Sequence, residues 1–137
     1  MAKVSNFLYA ANVIQESNGQ LHVINPLQII SPVFIPSTYS FFVVLSLRDF
    51  DTTKSHVLKT AFTNLENPEK PIVESSSTIP PIPKNPKADL PNEYEGLLTS
   101  LGFQNVILEK EGLYKTNLYF DGDNIGEYEI YVARIKR

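Results

Sequence analysis

The chain has 137 residues, 42% hydrophobic and 20% charged, the size and make-up of one globular domain, which excludes wholesale disorder. It has no cysteine, so disulfides, thiolate catalysis, Cys-ligated zinc and iron–sulfur clusters are excluded. A formal net charge of −3 gives no electrostatic case for nucleic acid or an anionic membrane surface.

No apolar run approaches the roughly 20 residues that span a bilayer. The stretch from Phe7 to Ile14 is broken by Asn12, so it reads as a first strand rather than a leader, and the expected location is cytoplasmic. This first strand covers about Val4 to Gln15. Asn18-Gly19 follows, a hairpin signal that predicts a type I′ turn with positive φ at both residues. A second strand runs from Gln20 to Ile30, where Pro26 removes a ladder donor and implies an edge, a bulge or two short strands. Ser31 to Pro36 is an extended connector.

Ser40 to Phe50 is the clearest strand, with Phe41, Val43, Leu45 and Leu47 on one face and Phe42 and Val44 on the other. Both faces are apolar at its start, which predicts a central strand. After the polar turn Asp49 to Ser55, the stretch His56 to Thr63 places Leu58, Thr60 and Phe62 on one face. Pro71 to Thr78 holds another short strand. Between Ile79 and Asn92, five of the ten prolines (Pro80, Pro81, Pro83, Pro86 and Pro91) exclude both helix and strand. Asn92 to Leu101 then predicts a short helix, with Asn92 as N-cap, Glu93 and Glu95 in the first turn, and a Leu97/Leu98/Leu101 stripe. Gly102 stands where a helix C-terminal residue in the left-handed region belongs. The Pro-rich loop and helix, residues 79–101, form an insertion in a single domain spanning 1–137.

Three strands close the chain: Phe103 to Glu109, Leu113 to Phe120, and Ile125 to Ile135 after the turn Asp121-Gly122-Asp123-Asn124. In the second, Tyr114, Thr116, Leu118 and Phe120 share a face. In the third, Tyr128, Ile130 and Val132 oppose Glu127, Glu129 and Tyr131, the pattern of one buried and one wet face. The fold class expected is all-β, an antiparallel β-sandwich of about seven to nine strands with one short helix and a Pro-rich loop.

Two Asp-x-Asp pairs, Asp49/Asp51 and Asp121/Asp123, lie in turns after odd-numbered strands, which places both at one end of a sandwich whose strands each cross it once. Four converging carboxylates are a calcium-type donor set, whereas Asp and Gly also simply build turns. An EF-hand is excluded, because Ile125 and Val132 occupy its fifth and twelfth positions. His22 and His56, the only histidines, lack the further ligands zinc needs and read as structural or surface residues. Nucleophile elbow, P-loop and dinucleotide fingerprint are all absent. Pro80-x-x-Pro83 and Pro83-x-x-Pro86, each followed by a lysine, match the spacing that docks in aromatic grooves, and Tyr94 sits nearby. Pro80, Pro83, Pro86 and Tyr94 are therefore the candidate partner-contacting residues.

Gly112-Leu113-Tyr114 resembles the start of a late strand in immunoglobulin-like sandwiches, where the Tyr hydroxyl pins the preceding corner. Thr116 stands where antibody domains carry Cys, and there is no Trp, so the likeness is to the general plan. The order of Asn18-Gly19-Gln20-Leu21, Pro32 to Pro36, Phe41 to Leu47, His56, Gly112-Leu113-Tyr114 and Asp121-Gly122 resembles a family of short, uncharacterised bacterial β-sandwich proteins of unknown function, over about Lys3 to Ile135. That resemblance implies a fold and supplies no activity, cofactor or catalytic residue. The expectation is a bacterial or phage non-enzymatic binding or interaction module, monomeric or homodimeric, contacting another protein and neither nucleic acid nor membrane. Its alternative is a calcium-binding sandwich using Asp49, Asp51, Asp121 and Asp123.

Overall fold

Nine strands form in the computed structural model, which describes residues 2–82 and 96–135. They are β1 (Lys3–Gln15), β2 (Leu21–Leu27), β3 (Ile29–Ile30), β4 (Ser37–Arg48), β5 (His56–Asn64), β6 (Val73–Ile79), β7 (Gly96–Leu108), β8 (Gly112–Phe120) and β9 (Asp123–Val132). One sheet has the order β2-β1-β4-β7 and the other β3-β9-β8-β5-β6. All pairings are antiparallel except β3 with β9, which is parallel and corrects the expectation of a purely antiparallel fold. The change of sheet comes at Gln28, between β2 and β3. Asn25 takes a left-handed φ of 52° beside the proline, and the chain leaves β2 at the edge of one sheet to join β9 in the other. Among the described residues no helix is long and apolar enough to cross a membrane.

The inner faces of the two sheets meet in one core. Period-two alternation puts Phe41, Val43, Leu45 and Leu47 of β4 and Leu58 and Phe62 of β5 almost wholly out of solvent. Phe41 packs its ring 5.1 Å from Phe62 of the opposite sheet and 5.3 Å from Phe103 of β7. Tyr9 crosses the core with its hydroxyl, which donates to the Tyr128 carbonyl at 2.7 Å and accepts from the Thr116 hydroxyl at 2.7 Å. Burial pushes that phenol far above its ordinary pKa, because a phenolate there would lose its hydration. The Tyr114 hydroxyl donates to the Lys110 carbonyl at 2.7 Å, pinning the corner before β8.

The short helix expected over Asn92–Leu101 does not form. Residues 96–101 belong to β7, and 92–95 lie outside the described residues. β4 supplies the reason: its side away from β1 carries a row of backbone donors and acceptors, and β7 satisfies them from Arg48↔Gly96 to Ser37↔Leu108. Leu97 and Leu101 then face the core, while Leu98 turns outward. Gly102 is no helix cap. It lies in β7 opposite Phe42, where a Cβ would stand 3.0 Å from the Phe42 ring.

The turns also exchange roles. Asn18-Gly19 does make a hairpin, but the Gly19 N–H donates to the Glu16 carbonyl and only Gly19 has positive φ, at 87°. That is a three-residue loop closed by a glycine in the left-handed region, not type I′. The type I′ geometry appears at Asp121-Gly122, with φ of 49° and 90° between the paired residues Phe120 and Asp123.

Candidate functional site

Two connections meet at one end of the domain. The β4–β5 loop brings Asp49, Phe50 and Asp51, the β8–β9 turn brings Asp121 and Asp123, and His56 opens β5 between them. With Phe120 and Ala2 these residues line a depression of about 300 Å³. The two Asp-x-Asp turns thus share one end.

His56 organises the cluster. Its side chain is only 10% exposed. Nδ1–H donates to Asp121 Oδ2 and Nε2–H to the Asp51 carbonyl, each at 2.6 Å. A carboxylate and a carbonyl are acceptors only, so both bonds are made together only when both ring nitrogens carry protons, as in the imidazolium. Burial opposes that charge, but the bonds to Asp121 and to the Asp51 carbonyl outweigh it and raise the His56 pKa. Phe50 stands edge-to-face with the ring at 5.4 Å and Phe120 lies 4.7 Å away, so the two rings help to shield it from solvent. Asp121 Oδ1 accepts the Val57 N–H at 2.8 Å, so one carboxylate holds both the side chain and the backbone at the start of β5. The His56 bond first, then the Val57 bond, lower the Asp121 pKa.

Asp51 and Asp49 have partners of their own. Asp51 accepts from the Thr53 hydroxyl and N–H, which lower its pKa. Asp49 lies 3.2 Å from Arg48 and 3.8 Å from Lys3. Asp123 is exposed. Among the described residues no group of three or more His, Cys, Asp or Glu is arranged to hold a metal ion. Chemically, the cluster is a clamp: both imidazole nitrogens are committed, so neither serves as a free base, and the cation ties the β4–β5 loop to the β8–β9 turn.

Of the candidate partner-contacting residues, Pro80 is exposed after β6, whereas Pro83, Pro86 and Tyr94 lie outside the described residues. His22 is on the edge strand β2, paired with Glu16 at 2.9 Å on the surface. Glu127 and Glu129 are exposed on the outer face of β9, and Lys115 neutralises Glu127 at 3.5 Å. Sequence reasoning treated His56 as structural without finding its partner, because Asp121 is 65 residues away and only the β5–β8 register brings them together.

The two outer sheet faces differ. On the five-stranded sheet, Lys59 pairs with Glu74 and Lys115 with Glu127. On the four-stranded sheet the registers align Asn6, Ser46 and Leu98, then Leu8, Val44 and Ser100, then Ala10, Phe42 and Gly102. Those three rows hold no charge, and Leu98 is 58% exposed.

Comparison with curated proteins returns no match. The model of a family of unknown function, DUF6941, matches residues 6–133, from the first strand through the parallel β3–β9 pair. A match over nearly all of an all-β chain places it: the chain belongs to the DUF6941 family, a family of unknown function.

Proposed function

We propose that this protein is a non-enzymatic interaction module, built on an immunoglobulin-like sandwich plan, that presents the outer face of its four-stranded sheet to another protein. The observation that carries the reading is the three uncharged rows across β1, β4 and β7, bordered by Lys3 and Arg48, with Leu8 and Leu98 exposed in them. A solvated antiparallel sheet face is normally polar, as the opposite sheet of this domain is. Exposed apolar side chains on a face depleted of charge are the compositional signature of an interface, although Ala10 and Val44 within these rows are themselves buried. The sheet order β3-β9-β8-β5-β6, the switch from one sheet to the other between β2 and β3, and the Tyr114 corner support the immunoglobulin-like plan.

Leu98→Lys tests the interface. The residue is exposed, so the substitution is expected to change stability by no more than about 0.5 kcal/mol. Cross-linking in cells is expected to capture a partner, or a second copy, with the wild type and with Lys59→Glu on the opposite sheet, and to lose it with Leu98→Lys. Equal capture by both variants would discard this face.

A second reading, calcium binding, is favoured by one observation: Asp49, Asp51, Asp121 and Asp123 all border the same depression. Thermal unfolding with millimolar calcium and with a chelator decides it. A cation bound only to the folded state at a hundredfold excess over its dissociation constant adds about 2.7 kcal/mol. A rise in midpoint that disappears in Asp123→Asn supports the site, and an unchanged midpoint removes it.

A further inference from the structure

The outer face of the five-stranded sheet holds a second depression, of about 510 Å³, distinct from the apolar face of the other sheet. Alternation directs Thr63 of β5 and Asn117 of β8 outward, away from Phe62 and Leu118 in the core. Outward residues on a wet face are normally exposed, yet Thr63 is 1% and Asn117 8% exposed. Prolines 68 and 71 of the β5–β6 connection line the same depression. Thr63 and Asn117 line the recess too, and their Oγ1 and Oδ1 are buried with no hydrogen-bond partner among the described residues. Buried polar atoms in a folded chain are nearly always paired, so two orphans lining one recess point to a partner that the chain itself does not supply.

The lining defines that partner. A recess of this volume falls in the range of small-molecule sites and exceeds what one water fills, since a water occupies about 30 Å³. Its two charges, Lys59 and Glu74, stand 3.6 Å apart and cancel. That balance favours a ligand without net charge. Donors and acceptors alternate: the Asn117 carbonyl oxygen and the Glu74 carboxylate accept, Lys59 donates, and the Thr63 hydroxyl does either. Adjacent hydroxyl groups, each able to give and take a hydrogen bond, match such a lining. We infer that this recess binds a neutral, polyhydroxylated ligand, a saccharide, through Thr63, Asn117 and the Lys59–Glu74 pair.

The test is titration of isotope-labelled full-length protein, followed by backbone amide shifts. Glucose, galactose, mannose and N-acetylglucosamine probe the free sugar, and maltotetraose and chitotetraose probe a sugar within a chain. Glucose 6-phosphate and glucosamine are the charged controls. At least one neutral probe is expected to give saturable shifts confined to β5, β6 and β8, with the charged controls binding no better. Asn117→Leu is expected to weaken that probe about tenfold, the effect of losing one buried hydrogen bond. Thr63→Val is the second variant, should Asn117→Leu fail to fold. The inference is overturned by three results: no saturable shift with any neutral probe, which leaves ordered water only; shifts located away from these strands; or unchanged affinity in a folded Asn117→Leu or Thr63→Val. None of these results bears on the four-stranded face, which the Leu98→Lys experiment reads separately.

Discussion

Phe41→Ala is expected to destabilise the domain by about 3–5 kcal/mol, a large part of the roughly 5–15 kcal/mol that holds a domain folded. Phe41 is fully buried where the strands of both sheets converge. Its ring lies 6.0 Å from Tyr9 of β1, 5.3 Å from Phe103 of β7 and 5.1 Å from Phe62 across the gap between sheets. Truncation removes the ring's transfer energy and leaves a void walled by side chains on four strands, which cannot collapse together without shifting two sheets. For a chain of this length, the thermal midpoint should fall by about 10–20 °C. Phe41→Leu, which refills most of the space, should lose much less. Urea unfolding monitored by tyrosine fluorescence measures both. A loss below about 1 kcal/mol for the alanine variant would mean that the sheets do not share this packing.

The second large effect is on pH dependence, and its sign follows from the two pKa shifts. His56 has a folded pKa raised above 6.5, so its contribution is complete below pH 6.5 and is lost as pH rises through the folded value. Asp121 has a folded pKa below 3.8, so its contribution is complete above pH 3.8 and is lost as pH falls through the folded value. The clamp therefore operates fully between about pH 4 and 6.5. Above that window the ring loses a proton, and one unprotonated nitrogen then faces either the Asp121 carboxylate or the Asp51 carbonyl. Asp49, Asp51, Asp123 and Lys54 surround the same loops. Asp51 reinforces the cation, while Lys54, 3.9 Å from Asp51, partly offsets it. The expected result is a thermal midpoint that declines from pH 6.5 upward in the wild type and in His22→Gln. In His56→Gln, where no group at this position titrates, that decline should be absent. A wild-type slope retained in His56→Gln would remove the clamp from the explanation.

Strands with one wet face were legible from the sequence because period two is a local property. The Tyr114/Thr116/Leu118/Phe120 face and the Phe41-to-Leu47 face are both buried as read. Pro26 likewise announced an edge, a bulge or two short strands, and the stretch forms the edge strand β2 followed by the short β3. The helix expected over Asn92–Leu101 failed for a physical reason. Leu97 and Leu101 share a face in a helix and also in a strand, and the deciding fact, the open side of β4, lies about 50 residues away. Asn18-Gly19 and Asp121-Gly122 look alike as dipeptides, but the strand registers that bracket them set loops of different length. At the candidate site, the shared end of the two Asp-x-Asp turns followed from counting strand crossings, although the turns come after β4 and β8 and not after odd-numbered strands, because the second expected strand splits into β2 and β3. The His56–Asp121 bond did not, since it needs the β5–β8 register. Nor did the burial of Thr63 and Asn117, which depends on how the Pro68–Pro71 connection lies against the sheet.

The pairing of β4 with β7 also has a consequence for synthesis. When β4 has emerged from the ribosome, β1 is already there to pair with one side, but the strand for the other side begins only at Gly96. At about 5–20 residues per second the chain needs roughly 2–10 s to reach it. Throughout that interval the most apolar strand of the domain has an unpaired edge, a template for pairing with another nascent chain. Slower translation between β4 and β7 should therefore lower soluble yield without changing the stability of the finished domain.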